Sequence, residues 1–330
     1  MKNLDQLDNQ YRRLADDQLQ PYLCDKEEIR DYFNEAIVEA CRRSRLLVTS
    51  DPTVGEVKST SVIQFFSGTT GFISGVFVGI LNIIQNPVVF TNNLASTAIL
   101  LCNEINRVGL YSATVNGTSV SIISPDGSGD FNNNIYPVIN ISLGSDLNFN
   151  TTAFLNGVNG ICKISLKVGK SVYKYNDKIF QIKRAELGST QRKLYSVDYR
   201  MMDERMPSWK TKTGTPRYLV YGMESDSFRL FNTPSTPDTI NLSVTYLPLV
   251  ELISDNDVPP INPRLHDKLV SWVLYRVYSK NDTQVKQGVV NLAKRFLNDF
   301  EAQFGTAEFA SGYEEQFQSI HAEFNTNGSY

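Results

Sequence analysis

Residues 208–222 read SWKTKTGTPRYLVYG. A Trp stands beside alternating Lys and Thr. Gly214 and Pro216 break the run, and a β-rich segment follows at once. Three readings fit this stretch taken alone: a nucleic-acid reader, a sugar-binding loop, or a corner in a structural scaffold. The neighbouring chain is β on both sides. RYLVYGM (217–223), SFRLFNT (227–233) and TINLSVTYLPL (239–249) follow it, and ICKISLKVGKSVYKY (161–175) and KIFQIKRAEL (178–187) precede it. Turns rich in Gly, Pro, Asn and Asp separate these strands. Short strands at this spacing predict a small sandwich or barrel over 159–250.

Helices flank this β part. Leu4, Leu7, Tyr11 and Leu14 form a first apolar stripe, broken by Pro21. Asp25 followed by Glu28 predicts a capping box, the Asp accepting a free N–H and the Glu reaching back. Ile29, Phe33, Ala36, Ile37 and Ala40 then mark one face of a helix to about Leu47. Arg42, Arg43 and Arg45 crowd its last turns, where they suit the helix dipole, with contact to an acidic partner or DNA as the functional reading. After the SDNDVPPINP turn, Leu265, Leu269, Trp272, Val273 and Val277 share a face. A residue among Asn281, Asp282 and Thr283 caps the next helix, whose stripe is Val285, Val289, Leu292, Phe296 and Phe300, closed by Gly305. Residues 1–51 and 251–305 thus read as one helical core.

Residues 52–158 have another texture, poor in charge and rich in Asn, Ser and Gly. VIQFF (62–66), PVVF (87–90) and YPVINISL (136–143) read as strands. One of Thr91, Asn92 and Asn93 caps a helix with Leu94, Ala98, Leu101, Cys102 and Ile105 inward. Asn116-Gly117, between alternating segments, predicts a hairpin. The stretch reads as an inserted α+β module, so the whole chain is α+β. No charge occurs from Ser59 to Asn103. Its most apolar part, FISGVFVGILNII, falls short of the ~18–20 residues of a membrane span, so buried strands are expected.

Residues 306–330 carry Phe309, Tyr313, Phe317, Ile320 and Phe324 at helical spacing, with four Glu and no Lys or Arg. Large apolar side chains in such a stripe need a surface. That surface belongs to the same chain or to a neighbouring subunit, and the five residues are candidate interface residues.

The totals and motifs restrict the function. A net charge of −3 is not that of a protein that lives by gripping phosphates, although a local basic patch stays compatible with it. The four Cys (24, 41, 102, 162) and two His (266, 321) have no zinc spacing, and reduced, buried thiols are expected. An N-terminus without an apolar signal core reads as cytosolic. V-G-K-S (168–171) lacks the Gly a phosphate loop needs at 164, where Ile stands, and it lies in a strand pattern. There is no G-x-S-x-G elbow, and no motif points to a paired-carboxylate site. His266 reads as a helix-start or packing residue. No catalytic, cofactor or metal residue is assigned.

The order of segments carries a resemblance. The chain runs from DNQYRRLADDQLQPYLCDKEEIRDYFNEAIVEACRRSRLLV through GKSVYKYNDKIFQIKRAEL and LYSVDYRMMDERMPSWKTKTGTPRYLVYG to NLSVTYLPL. It closes with DVPPINPRLHDKLVSWVLYRVYSKNDTQVKQGVVNLAKRFLNDFEAQFG. This series resembles the head-to-tail adaptor (connector, or neck ring) proteins of tailed bacteriophages, over about residues 10–50 and 160–305. The most telling pieces are N-E-A in the long helix, P-S-W…G-T-P-R-Y, and the acidic D-N-D-V-P-P-I-N-P turn. The 52–158 module departs from simpler members. Through LLCNEINRVGLYSATVNGTSVSIISPDGSG it resembles small domains inserted in phage tail and sheath proteins.

The resemblance implies a non-enzymatic virion protein, assembled in the host cytoplasm and placed at the head–tail junction. It implies a closed ring of about twelve copies, each using two different faces. The partners implied are the portal protein, further neck or tail proteins, and double-stranded DNA passing without sequence recognition; no membrane is involved. A near-neutral conduit lets DNA slide, because few phosphate contacts form. In this setting Trp209 anchors a corner set by Gly214 and Pro216. Lys210 and Lys212 face solvent or an acidic portal surface along an extended edge, with DNA contact as the alternative. Two rival functions are a neck protein with cell-wall hydrolase activity and a receptor-binding tail component using the Asn-rich module.

Overall fold

The computed structural model describes residues 1–18, 24–91, 93–223, 227–280 and 287–306, with only the backbone of 287–290. Among these residues lie six α-helices: α1 (Leu4–Ala15), α2 (Lys26–Ser44), α3 (Leu94–Val108), α4 (Tyr199–Arg205), α5 (His266–Tyr278) and α6 (Gln287–Phe304). The fold is mixed α and β, with helices at both ends of the chain and strands between. The chain divides into two compact units. One comprises 1–50, 167–237 and 242–330, and the other 51–166 with 238–241.

In the first unit α1, α2, α5 and α6 share one core. Leu7, Phe33, Leu269, Trp272 and Phe300 are among its buried members. Both helix starts are built locally. Asn3 and Gln6 form a reciprocal capping box on α1 that satisfies two N–H groups, and the Leu4 and Asp5 N–H groups donate to the Asp257 and Asp255 carbonyls at 2.9 and 3.1 Å. Asp25 accepts from the Glu28 N–H at 2.8 Å. Glu28 does not reach back as expected. Its carboxylate accepts from Tyr32 Oη at 2.7 Å and pairs with Lys280, which ties α2 to the end of α5. Leu14, in the last turn of α1, is 58% exposed and leaves the stripe. In α6 Phe300 is buried and Phe296 packs against the core as expected, but Leu292 is exposed and Ala293 is buried in its place. The expected cap at 281–283 and Val285 lie outside the described residues.

The β part of this unit is a curled, open half-barrel, in keeping with the barrel-like sheet the strand spacing predicts. Its strands run in the order Val48–Thr49, the 242–246 part of Asp238–Tyr246, Ile179–Leu187, Lys193–Asp198, Tyr218–Tyr221, Ser227–Phe231 and Val172–Lys174. The long reading of 161–175 as one strand is corrected. Lys163–Leu166 and Val172–Lys174 are separate strands, and Val168–Gly169 form a turn between them with Gly169 at φ +76°. V-G-K-S therefore lies in a strand-to-strand turn, with no helix after it to hold a phosphate. Lys193–Asp198 pairs in parallel with Tyr218–Tyr221. A parallel pair cannot be closed by a tight turn; it needs a crossover of a dozen or more residues. Residues 199–217 are that crossover, and they hold α4 and the quoted Trp209 stretch.

The second unit is an α+β body of two four-stranded antiparallel sheets and α3. One sheet has the order Ser112–Asn116, Ser119–Ile123, Thr60–Ser67, Asn148–Thr151. In the other, Phe72–Val78 pairs with Leu81–Asn82, Val88–Val89 and Val138–Ile141. Ala98, Leu101, Cys102 and Ile105 of α3 are buried against Ile63, Phe65 and Ile122. The uncharged run from Ser59 thus forms strands and a helix that each bury one face, while Phe66, Ile80 and Val89 stay exposed, and no helix among the described residues is long and apolar enough to cross a membrane. Asn93 caps α3, accepting from Ser96 N–H at 2.8 Å. The predicted hairpin forms, one residue later than the Asn-Gly pair suggests. Asn116 is paired with Ser119, so Gly117 and Thr118 make the loop. Gly117 has φ +58°, the positive value that a two-residue hairpin of the type with Gly first requires.

Candidate assembly surface

The crossover begins at Asp198, whose side chain accepts from Arg200 N–H and caps α4. α4 lasts seven residues, and a tight turn at Trp209–Thr211 follows. Trp209 is 1% exposed. Its ring packs with Val197, Met202, Val220 and Phe231. The indole therefore fills the space between the crossover and the two parallel strands it connects. Its Nε1–H donates to Asp203 Oδ1 at 2.7 Å, which satisfies the polar atom a buried Trp carries. Two cations flank the ring, Lys210 Nζ at 5.5 Å and the Arg229 guanidinium at 5.6 Å from its centre. Lys210 also pairs with Asp203 at 3.3 Å. The Trp209 N–H, with help from Lys210, holds the Asp203 carboxyl below its ordinary range.

Lys210 and Lys212 are both exposed, but they do not lie on one extended edge. Thr211 turns the chain instead: its hydroxyl and its N–H both reach Ser208 O, at 3.0 and 3.2 Å. A Thr that bonds its own local backbone competes with strand pairing. Extension resumes at Thr213–Gly214, which form a short parallel ladder with Thr233–Pro234. Gly214 has φ +146°, a backbone state that residues with a side chain rarely adopt. Pro216 is buried. Asp203 and Arg229 were not evident as partners of Trp209. They sit six residues before it and twenty after, and no periodicity links such positions.

The charge of the chain is unevenly spread. Residues 167–237 hold fourteen Lys and Arg against seven Asp and Glu, within a chain of net charge −3. The β part is thus a basic surface in an acidic protein. The arginines at the end of α2 are already engaged. Arg43 is buried and pairs with Glu39 and Glu301 at 3.1 and 3.3 Å. Arg45 caps the helix at φ +52° and lies over Phe180.

Other candidates resolve into packing. His266 is fully buried at the start of α5, with its ring nitrogens 3.1 Å from the Ile261 and Lys2 carbonyls. All four cysteines are free and buried, and burial pushes the Cys41 thiol up to about 12. Among the described residues no cluster of His, Cys, Asp and Glu is placed to hold a metal ion. The stripe Phe309, Tyr313, Phe317, Ile320 and Phe324 lies outside the described residues.

Comparison with known proteins bears directly on this surface. The family model of the SU10 adaptor protein matches residues 142–321, more than half of the chain and all of the basic β part. No curated protein matches the chain.

Proposed function

This chain belongs to the SU10 adaptor protein family of phage head-to-tail adaptors, and from that premise we propose that it forms a ring joining the capsid portal to the tail around the DNA passage. An adaptor of this kind is a structural protein, not an enzyme. The ring holds about twelve copies, closed by repeated contact of two unlike faces. The single observation that carries the reading is the family match over 142–321. The geometry supports it: the crossover is locked onto the sheet by Trp209, and a rigid basic surface suits docking to an acidic neighbour. Lys210 and Lys212 contribute to that surface, and Gly214 and Pro216 fix the turn that presents them. DNA passes through without sequence recognition, and assembly takes place in the host cytoplasm.

Electron microscopy of purified particles, with the chain located by a tag on its N-terminus, tests this. The expected result is a closed ring of copies between head and tail. Copies found only on fibres or at the distal tail end would overturn the reading.

A further inference from the structure

We infer that a basic turn of one copy, residues 167–170, seats in an apolar groove of the next copy whose rim carries Glu251 and Asp257. This contact rests on the ring proposed above and names the two unlike faces that close it.

The turn reads KVGK and opens the V-G-K-S stretch that holds no phosphate. One buried side chain builds it. Tyr173 Oη accepts from Lys167 N–H at 2.9 Å and lies 3.1 Å from the carbonyls of both Lys167 and Lys170. Gly169 N–H donates to Pro234 O at 3.0 Å, and Lys170 N–H to Lys167 O at 3.2 Å. The backbone is therefore ordered before a partner arrives, which lowers the cost of docking. Val168 is 59% exposed, with Lys167 and Lys170 exposed on either side. Asp238, opposite Leu166 in the ladder, stands at the foot of the turn. Among the described residues no carboxylate pairs with Lys167 or Lys170.

The groove has a volume of about 360 Å³, with Leu47, Tyr246, Pro248, Val258 and Pro260 in its walls. Tyr246 N–H donates to Leu47 O at 3.0 Å, and the prolines have fixed φ, so the walls are firm. Two cations approach this segment from α2 and are engaged elsewhere. Lys26 pairs with Asp255 at 2.6 Å, and Arg30 donates to Ile253 O at 2.7 Å. Glu251 is exposed. Asp257 accepts from the Ser254 and Ile253 N–H groups at 2.7 Å each, and these bonds hold its carboxyl below the ordinary range. Among the described residues neither Glu251 nor Asp257 pairs with a Lys or Arg.

The two surfaces are opposite in charge and alike in apolar content. Residues 167–175 hold three Lys and no Asp or Glu; residues 246–260 hold three Asp or Glu and no Lys or Arg. Val168 fills the cavity, and the lysine stems lie along its walls while their ammonium groups reach the rim. Position selects a second copy as the occupant. Leu47 adjoins Val48–Thr49, the strand at one edge of the half-barrel, whereas the turn runs into Val172–Lys174 at the other edge. None of residues 167–174 lines the groove of its own chain. Each copy thus offers turn and groove at different edges, as head-to-tail closure requires.

The test uses the full chain in particles. Val168→Cys and Val250→Cys are made together and singly; Val250 lines the groove and is 73% exposed, and the native cysteines are buried. A disulfide forms only where two Cα atoms come within about 7 Å. After mild oxidation the double variant should give a series of covalent multimers on a non-reducing gel, and each single variant only the monomer. Adding Lys167→Glu and Lys170→Glu should cut the multimers several-fold. Unaltered particles, free of any folding effect of a variant, give a second reading. A water-soluble carbodiimide should join Lys167 or Lys170 to Glu251 or Asp257 in the multimer bands, as identified by mass spectrometry. A ring seen by imaging with neither multimers nor these links overturns the inference and leaves the ring standing. Multimers that the two glutamates leave undiminished overturn it too, as do links from these lysines to another virion protein instead. Particles without a ring overturn both the contact and the ring.

Discussion

The guanidinium of Arg43 lies 5.2 Å from the centre of the Trp272 ring, so a charge on α2 rests on an aromatic face of α5. Phe300 of α6 stands at 5.5 Å from the same group. Glu39 and Glu301 hold its nitrogens at 3.1 and 3.3 Å. One side chain thereby connects three helices of the first unit. Neither a solvated dipole partner nor a docking site for an acidic ligand describes it, because it is only 8% exposed.

Arg43→Ala should therefore be among the most destabilising changes in the helical part. Breaking a buried pair strands the remaining charges and costs about 3–5 kcal/mol. Glu39 and Glu301 are partly solvated here, so the lower end, ~3 kcal/mol, is expected. Arg43→Lys should recover little, because an ammonium has neither the fork nor the flat face that stacks on a ring. Urea unfolding checks both variants. A midpoint for Arg43→Ala within error of the parent would show that the bracket contributes nothing.

Trp209 makes the same kind of argument for the β part. Trp209→Ala should cost ~3–5 kcal/mol, as for other large buried aromatics. Trp209→Phe keeps most of the packing but removes the N–H that Asp203 accepts. Asp203 should then titrate closer to its ordinary value, which NMR of its carboxyl carbon can follow. An unmoved titration would mean that Lys210 alone sets the shift.

Much of this was legible in the sequence where local rules and packing agree. The α2 and α5 faces, a cap among residues 91–93 and the existence of the hairpin, though not its exact loop, follow from short-range patterns that the tertiary structure reinforces. The half-barrel could be expected from strand spacing, but its parallel pair could not. That pairing depends on a crossover whose helix, YRMMDER, is too short to show periodicity. The Lys–Thr alternation over 210–213 looked extended because period two is the strand signal, yet Thr211 spends its polar groups on Ser208 instead. Overall charge hid the basic β part, since acidic residues elsewhere in the chain cancel it. The Trp209 site was visible as a Trp beside turn residues; its partners Asp203 and Arg229 were not, because only the folded crossover brings them near.

The hairpin of the second unit gives a further prediction. Gly117 is exposed, has no neighbour within 4 Å of where a Cβ would sit, and has φ +58°. Sterics with neighbours are therefore not the issue, and the backbone state is. Gly117→Ala should cost roughly 1 kcal/mol, the penalty of the left-handed region for a residue with a Cβ. Gly117→Asn should cost less, because Asn tolerates that region. Thermal unfolding of the two variants should rank them in that order. Equal midpoints would mean that the turn relaxes to another type at no cost.

Glu104 supplies the pH dependence. It lies on α3 and accepts from Arg107 Nε and Nη2 at 2.8 and 2.7 Å, and from the Asn86 and Gln85 N–H groups at 2.7 and 3.1 Å. The Arg107 bonds first, then the two backbone donors, pull its carboxyl from an ordinary 4.5 down to about 2. A group held lower in the folded state than in the unfolded chain stabilises the fold when ionised in both. Its contribution is complete above about pH 5 and is lost as pH falls from 4.5 toward 2. Asp146, held to about 2 chiefly by Thr69 and Thr70, acts in the same window and with the same sign, so the parent curve alone does not isolate Glu104. The difference between parent and Glu104→Gln does. Gln keeps the shape and an accepting oxygen but has no charge to lose. It should be less stable than the parent by about 1–2 kcal/mol at neutral pH, the range for charge-assisted bonds at a part-exposed site. The gap should close as pH approaches 2. Urea unfolding of both proteins between pH 2.5 and 6, followed by a probe in the second unit, measures it. A gap that stays constant with pH would mean that shape, not charge, is what Glu104 contributes to the Gln85–Asn86 turn.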